Sequence, residues 1–272
     1  MQQADAWADD LMRAEGAARE AGEILLRHYR ARDGLTVQTK RAGDFLSEAD
    51  LAAETHLRAR LLREGDGWLG EETGSRATAA PGQRRWVVDP LDGTTNFLRG
   101  IPHWCVSVAL EVDGRPVLGV ICDPLRDELF ATAPGQGARL NGSPIRPSRT
   151  RDLSNALFGT GIPFGGMAHI SDHAADIARL MPLCAGVLRM GAAALDLAWV
   201  AAGRLDGFWE RRLQPWDIAA GLALMAETGV QVEGIGLAED PWSTGTVLAA
   251  PVTLFPAFAA VIRQAGPSAS RA

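Results

Sequence analysis

Residues 86–97 have the sequence WVVDPLDGTTNF, in which an apolar segment runs directly into two carboxylates. The apolar part has the length of a buried strand, and Asp89 and Asp92 lie three positions apart around a proline that stiffens the turn. A single Asp-Gly pair would indicate only a turn. Two carboxylates that converge at a buried strand end, however, repel each other unless a proton or a cation lies between them.

The Gly-Thr-Thr of residues 93–95 adds backbone N–H groups and hydroxyls at a predicted helix start, and such a start favours an anion. Carboxylates can lie beside an anion if hard cations separate them. The ligands in this segment are oxygens only, without His or Cys, and that donor set indicates Mg²⁺.

Two other acidic segments could reach the same crevice. Residues 69–74, LGEETG, follow an apolar strand, so Glu71 or Glu72 could point at it, although paired glutamates are more often solvated. Residues 210–221, ERRLQPWDIAAG, put Pro215 and Asp217 in the first turn of a helix, where capping alone would explain the aspartate.

The rest of the chain predicts a mixed fold of the α+β and α/β classes. Residues 1–150 contain a helix at 5–32, a helix that Ser47 and Asp50 open with capping-box spacing, and then mostly antiparallel strands with turns at 113–114 and 141–142. Residues 151–272 alternate strands and helices, including a helix at 215–228. We expect two subdomains with these bounds, the second carrying Glu210 and Asp217.

Composition excludes several classes of protein. The 272 residues are 47% hydrophobic, so the chain is not disordered, and a net charge of −6 argues against binding to nucleic acid. The longest apolar runs are far too short to span a bilayer and no signal peptide is recognisable, so we expect a cytoplasmic protein without membrane contact. The three cysteines match no metal-site spacing.

Known catalytic motifs of other classes are absent or weak. A Walker A loop is excluded because Lys40, the only lysine among 27 basic residues, follows Thr39 instead of a glycine. There is no Gly-x-Ser-x-Gly, and His169 and His173 lack the glutamate of a zinc helix. Residues 159–165, GTGIPFG, depart from a dinucleotide loop in spacing.

Together, the GEE, DPLDGTTN and WDIAAG segments resemble the inositol monophosphatase family, within the Mg²⁺-dependent, lithium-sensitive phosphatase superfamily. The segments at 39–40, 49–50, 135–142, 159–163, 191–194 and 206–210 also follow the family order, so the resemblance covers about residues 10–250. It implies a layered αβαβα sandwich of the inositol monophosphatase and fructose-1,6-bisphosphatase type, a homodimer, and two to three Mg²⁺ ions in each site.

The resemblance also implies the site residues. The metal ligands would be Glu71, Asp89, the Leu91 carbonyl, Asp92 and Asp217. Asp89 would bridge two ions, and Glu71 would also help to bind a weaker third ion. Asp92, Gly93 and Thr94 would contact the substrate, and the backbone of Gly93 and Thr94 would bind its phosphate. The catalytic group would be Asp50, Glu71, Thr94 and Lys40, in which Asp50, Thr94 and Glu71 orient a metal-activated water for in-line attack.

The alcohol side of the substrate would contact Gly191, Ala192, Ala194 and Glu210. Two departures from the family pattern lie near this side: Arg212 stands where the family often has glycine, and Gly229-Val230 replaces Gly-Gly. Arg211 and Arg212 are either surface residues or face an additional anionic group of the substrate.

We therefore expect a Mg²⁺-dependent phosphomonoesterase that acts on a small polyol phosphate, most simply inositol 1-phosphate. Histidinol phosphate, 3′-phosphoadenosine 5′-phosphate and fructose 1,6-bisphosphate are the alternative substrates. A catalytically silent regulatory binding protein on the same fold is a further alternative. It predicts at least one altered ligand position, whereas all the expected residues are present.

Overall fold

The computed structural model describes residues 7–41, 44–76, 83–162 and 170–264. The helices are α1 (Ala8–Arg30), α2 (Glu48–Leu61), α3 (Thr94–Arg99), α4 (Ile170–Leu180), α5 (Ala193–Ala201), α6 (Pro215–Thr228), α7 (Pro241–Thr244) and α8 (Phe255–Ile262). The strands are β1 (Val37–Arg41), β2 (Asp44–Ser47), β3 (Gly67–Gly70), β4 (Gly74–Arg76), β5 (Arg84–Asp92), β6 (Cys105–Val112), β7 (Arg115–Asp123), β8 (Glu128–Thr132), β9 (Arg139–Leu140), β10 (Ser143–Pro144), β11 (Leu157–Thr160), β12 (Gly186–Leu188), β13 (Gly207–Glu210), β14 (Val230–Glu233) and β15 (Val247–Pro251).

The described strands form two large sheets and one separate hairpin. The first sheet has the order β10-β9-β8-β7-β6-β5-β3-β4, and all of its pairs are antiparallel except β3 with β5. The second has the order β12-β11-β13-β15-β14 and is mixed, since β11 is parallel to β12 and β13 while β15 is antiparallel to both neighbours. Strands β1 and β2 pair only with each other.

Successive side chains of the central strands point to opposite faces of their sheet, and this divides the core into layers. On β5, Trp86 and Val88 belong to the core under α1 and α2, whereas Val87 faces α5 and α6. On β13, Phe208 belongs to that second core, while Trp209 packs in a third core with α8. The layers therefore run helices, sheet, helices, sheet, helices, which confirms the αβαβα sandwich.

Helix composition fits the layer each helix occupies. α5 and α6 lie between the two sheets, and nearly every residue of α5 is buried, which matches its almost wholly apolar sequence AALDLAWVA. α1 lies outside the first sheet and buries only one face, lined by alanines and leucines. Across the described ranges, no helix has both the length and the apolar character to cross a bilayer.

The local signals in the sequence place most elements correctly. Asp113 and Gly114 adopt positive φ angles of 51° and 76° in the β6–β7 hairpin, as the Asp-Gly pair predicts. Ser47 and Asp50 form the predicted capping box at the start of α2. The first sheet uses strands from residues 67–144 and the second uses strands from residues 157–251. The subdomain boundary near residue 150 stays a prediction.

Candidate active site

The two aspartates of the DPLD segment lie at the end of β5. The pairing of β5 with β6 is irregular between Asp89 and Asp92 and resumes where Asp92 pairs with Cys105. Asp89 Oδ1 accepts the Leu91 N–H at 2.9 Å, and Asp92 Oδ2 accepts the Ala194 N–H of α5 at 2.7 Å. Both side chains are thus held in fixed positions below the surface.

Four carboxylates from three separate segments meet at this strand end. Burial raises the pKa of Asp89 well above its usual range, and the negative charges of Glu71, Asp92 and Asp217 raise it further. A hydrogen bond between Asp89 and Glu71 acts in the same direction. Burial raises the pKa of Asp92 to about 7, with additional repulsion from Asp196 and Glu71. The charges that act most strongly on Asp89 all come from other carboxylates.

Asp217 has two roles in this geometry. It completes the N-terminal capping box of α6, where its Oδ2 accepts the Gln214 N–H at 2.7 Å. It also lies close enough to Asp89 to raise the pKa of that carboxyl. The capping interpretation and the metal-site interpretation of Asp217 are therefore compatible.

Asp50 connects α2 to the DPLDGT turn. Its Oδ2 caps α2 by accepting the Ser47 N–H at 2.9 Å, and its Oδ1 lies 3.3 Å from Thr94 Oγ1, which can donate to it. Thr94 Oγ1 also lies 3.1 Å from the Leu91 carbonyl oxygen. Burial raises the pKa of Asp50 to about 6, and the charge of Glu71 contributes.

Gly93 makes the turn from β5 into α3 possible. Its φ of 94° is in the left-handed region, and a Cβ there would come within 3.0 Å of the His103 carbonyl oxygen. α3 then begins at Thr94, as the sequence predicts.

Glu210 lies at the end of β13, and its carboxylate belongs to the same electrostatic neighbourhood. Burial raises the pKa of Glu210 well above its usual range, and the negative charges of Asp217, Asp196 and Asp92 raise it further. The positive charge of Arg189 acts in the opposite direction. A Cβ at Gly161 would overlap the Glu210 carboxylate, so a larger residue at this position would displace the carboxylate. Gly161 is a residue of the GTGIP segment whose position the sequence did not explain.

A buried His103–Asp196 pair supports the segment that carries Gly191, Ala192 and Ala194. His103 Nε2 lies 2.9 Å from Asp196 Oδ1 of α5. Asn96 Nδ2 donates to the carbonyls of His103 and Met190, at 2.7 and 2.8 Å. These contacts join α3 to the start of α5, and the sequence did not predict them.

Arg211 is not the surface residue that one of the two sequence interpretations assumed. Its guanidinium forms an ion pair with the buried Asp176 of α4, which also binds Arg179. Arg212 is exposed and has a φ of 63°. The backbone of Lys40 lies in β1, but its side chain and residues 163–169 lie outside the described part of the structure.

The donor chemistry of the carboxylate cluster fits a hard cation. Glu71, Asp89, Asp92 and Asp217 offer only oxygens, and their mutual repulsion would be relieved by Mg²⁺. Among the described His, Cys, Asp and Glu side chains, no group of three already has metal-ligand geometry. The fit therefore rests on the chemistry and clustering of the donors.

Comparison with known proteins gives a consistent result. The family model described as the inositol monophosphatase family matches residues 7–266. An inositol-1-monophosphatase of Rhizobium meliloti is 42% identical over 257 residues, 93% of this chain and 95% of that protein. A Nus factor SuhB of Salmonella typhimurium is 40% identical over 235 residues, 86% of this chain and 88% of that protein. The crystal structure of the extragenic suppressor protein suhB from Bartonella henselae superposes with a TM-score of 0.87 at 38% identity, covering 92% of this chain and 96% of that one.

Proposed function

The chain belongs to the inositol monophosphatase family of phosphoric monoester hydrolases, and we propose that it hydrolyses inositol 1-phosphate to inositol and phosphate with Mg²⁺. The observation that carries the proposal is the meeting of Glu71, Asp89, Asp92 and Asp217 at the end of β5. These carboxylates come from segments that are far apart in the sequence. Their convergence, at the cost of mutual repulsion, supports a metal site.

The proposed ligands are Glu71, Asp89, the Leu91 carbonyl, Asp92 and Asp217. When bound there, Mg²⁺ offsets phosphate charge and lowers the pKa of water. Two or three ions in each site remain a prediction, as does lithium sensitivity.

Thr94 and Asp50 are the proposed proton-handling pair. The Thr94 hydroxyl lies within hydrogen-bond distance of Asp50 Oδ1. Its oxygen can at the same time accept a proton from the attacking water, so the proton would pass from water to Thr94 Oγ1 and from Thr94 to Asp50. We assign Glu71 to orient the water, and the backbone of Gly93 and Thr94 to bind the phosphate.

Glu210 is the proposed contact for the alcohol. A carboxylate accepts hydrogen bonds from the hydroxyls of a polyol, and the Gly191 and Ala192 backbone would line the other side of the ring. The Ala194 N–H donates to Asp92, so this residue also fixes a proposed metal ligand. A homodimer and a cytoplasmic location remain predictions from the sequence.

The experiment that tests the proposal compares four substrates with Mg²⁺ and with EDTA. They are inositol 1-phosphate, histidinol phosphate, 3′-phosphoadenosine 5′-phosphate and fructose 1,6-bisphosphate. We expect the highest kcat/KM for inositol 1-phosphate and no turnover in EDTA. A higher kcat/KM for another substrate would overturn the substrate assignment, and turnover in EDTA would overturn the metal assignment.

A further inference from the structure

Glu54 is a fully buried acid one helical turn after Asp50 on α2. Its carboxylate lies under the loop that follows β3, where Oε2 accepts the Glu72 N–H at 2.8 Å and Oε1 accepts the Thr73 N–H at 3.0 Å. The Thr73 hydroxyl also donates to Oε1. The two oxygens of this one side chain therefore accept from all three donors.

These contacts fix the backbone on the C-terminal side of Glu71. On the N-terminal side, the Glu71 N–H donates to the Val88 carbonyl of β5 at 3.2 Å. Glu71 is therefore held between β5, the strand that carries Asp89, and the two amides bound by Glu54. The carboxylate of Glu71 forms a hydrogen bond with Asp89.

Two neighbouring residues are adapted to this arrangement. A Cβ at Gly70 would overlap the Glu54 carboxylate, so a larger residue where β3 passes over it would displace this carboxylate. The Trp68 Nε1–H donates to Thr73 Oγ1 at 3.1 Å, which orients the hydroxyl so that its proton points to Glu54. The loop is thus held by several residues that are not among the proposed metal ligands.

We propose that Glu54 is a positioning residue that holds residues 71–73 so that the Glu71 carboxylate faces Asp89 in metal-binding geometry. The inference rests on the proposed function, because Glu71 matters only if the cluster binds a metal. A purely structural role would make Glu54 important for stability but not for metal affinity. The two roles predict different results for Mg²⁺ binding.

The main variant is Glu54→Gln, which keeps the shape of the side chain. The Gln amide nitrogen is a donor, so it must face one of the amide donors of Glu72 or Thr73, and the loop loses at least one contact. The matched control is Asp66→Asn, before the start of β3. Asp66 is a carboxylate that accepts the Arg63 N–H at 3.3 Å and the Trp86 Nε1–H at 3.1 Å.

Mg²⁺ affinity is measured by calorimetry without substrate, alongside amide hydrogen exchange of the metal-free protein and its Tm. We expect Glu54→Gln to weaken Mg²⁺ binding about tenfold or more and to speed exchange at residues 72 and 73. Asp66→Asn should keep wild-type affinity even if its Tm falls. Wild-type affinity in Glu54→Gln, with a lower Tm, would overturn the positioning role.

A second variant keeps the inference testable if Glu54→Gln does not fold. Glu54→Asp retains a carboxylate but shortens the side chain by one methylene, which moves it away from the amides of Glu72 and Thr73. It should therefore weaken Mg²⁺ binding although the four carboxylates at the end of β5 are all still present. Wild-type affinity in Glu54→Asp would overturn the inference. If the wild-type protein itself binds no Mg²⁺, the proposed function fails. This result is distinguishable from failure of the inference about Glu54, because it is seen in the wild type and does not depend on any variant.

Discussion

Replacing Asp92 by Asn is expected to stabilise the metal-free protein, and increasingly so as the pH rises. Burial and neighbouring carboxylates raise the pKa of Asp92 from 3.8 to about 7. Because the folded-state pKa lies above the unfolded-state value, the contribution of Asp92 to stability is fully present below pH 3.8 and is lost as the pH rises through about 7. Asn does not titrate, so this loss is confined to the wild-type protein.

The size of the effect follows from the two pKa values. Between about pH 5 and pH 8, Asp92 should lower the free energy of unfolding by roughly 2–3 kcal/mol. At about 2–4 °C for each kcal/mol, this corresponds to a decrease of about 5–10 °C in the Tm of the wild-type protein relative to Asp92→Asn.

The assay is thermal unfolding in EDTA of the wild-type and Asp92→Asn proteins across this pH range, repeated with saturating Mg²⁺. Taking the difference between the two proteins removes the contribution of titrating groups that do not interact with Asp92. Mg²⁺ should raise the Tm of the wild type, since ligand at about 100 times Kd adds about 2.7 kcal/mol, and should raise that of the variant less. A difference in Tm that does not change with pH, or that changes in favour of the wild type, would refute the burial argument.

Three further predictions concern the substrate side and the metal. Gly161→Ala should push the Glu210 carboxylate aside. We expect kcat/KM for inositol 1-phosphate to fall about 10–100-fold, because one charged hydrogen bond to the substrate is lost. The kcat/KM for p-nitrophenyl phosphate, which has no polyol, should stay unchanged. Equal loss on both esters would contradict a polyol role for Glu210, and Glu210→Gln is the matched comparison. Lys40→Arg should weaken Mg²⁺ affinity or turnover because a compact ammonium is replaced by a planar fork; unchanged kinetics would remove Lys40 from the site. Li⁺ should inhibit phosphate release from inositol 1-phosphate, and full activity in Li⁺ would argue against the lithium-sensitive assignment.

Local signals in the sequence were sufficient for elements with strong caps or turns. Pro215 and Thr228 bound α6 as predicted, because a proline at the first helical position and a glycine after the last residue are local signals. The strands Gly186–Leu188 and Val230–Glu233 were not predicted. They are short and only partly apolar, and their conformation depends on pairing with β11 and β15.

The end of β5 shows a second limit of sequence reasoning. The apolar run predicts a strand that stops before Asp89, yet β5 continues through Pro90 to Asp92. Proline has no N–H to donate to a neighbouring strand, but the pairing of β5 with β6 is irregular at this point, so Pro90 can lie within the strand. The sequence of β5 alone does not show this, because the irregularity depends on β6.

The candidate site was predictable where a local pattern marks the position of a residue. Asp89 directly follows an apolar run, and Asp217 lies in the first turn of a helix. Supporting residues were missed because their roles exist only in tertiary contacts, as with Gly161 against Glu210 and His103 against Asp196. Glu54 left a signal that could have been used. It lies four residues after Asp50, so both acids occupy one helix face that also carries apolar core residues.

Phosphate release from inositol 1-phosphate by Asp92→Asn, with Mg²⁺ and at matched fold content, tests the central claim most directly. The carboxylate cluster is proposed to hold the metal, so removal of one charge should lower kcat/KM by at least about 100-fold. The same variant should be more stable than the wild type in EDTA, which would separate loss of function from loss of fold. Turnover close to that of the wild type would contradict the account.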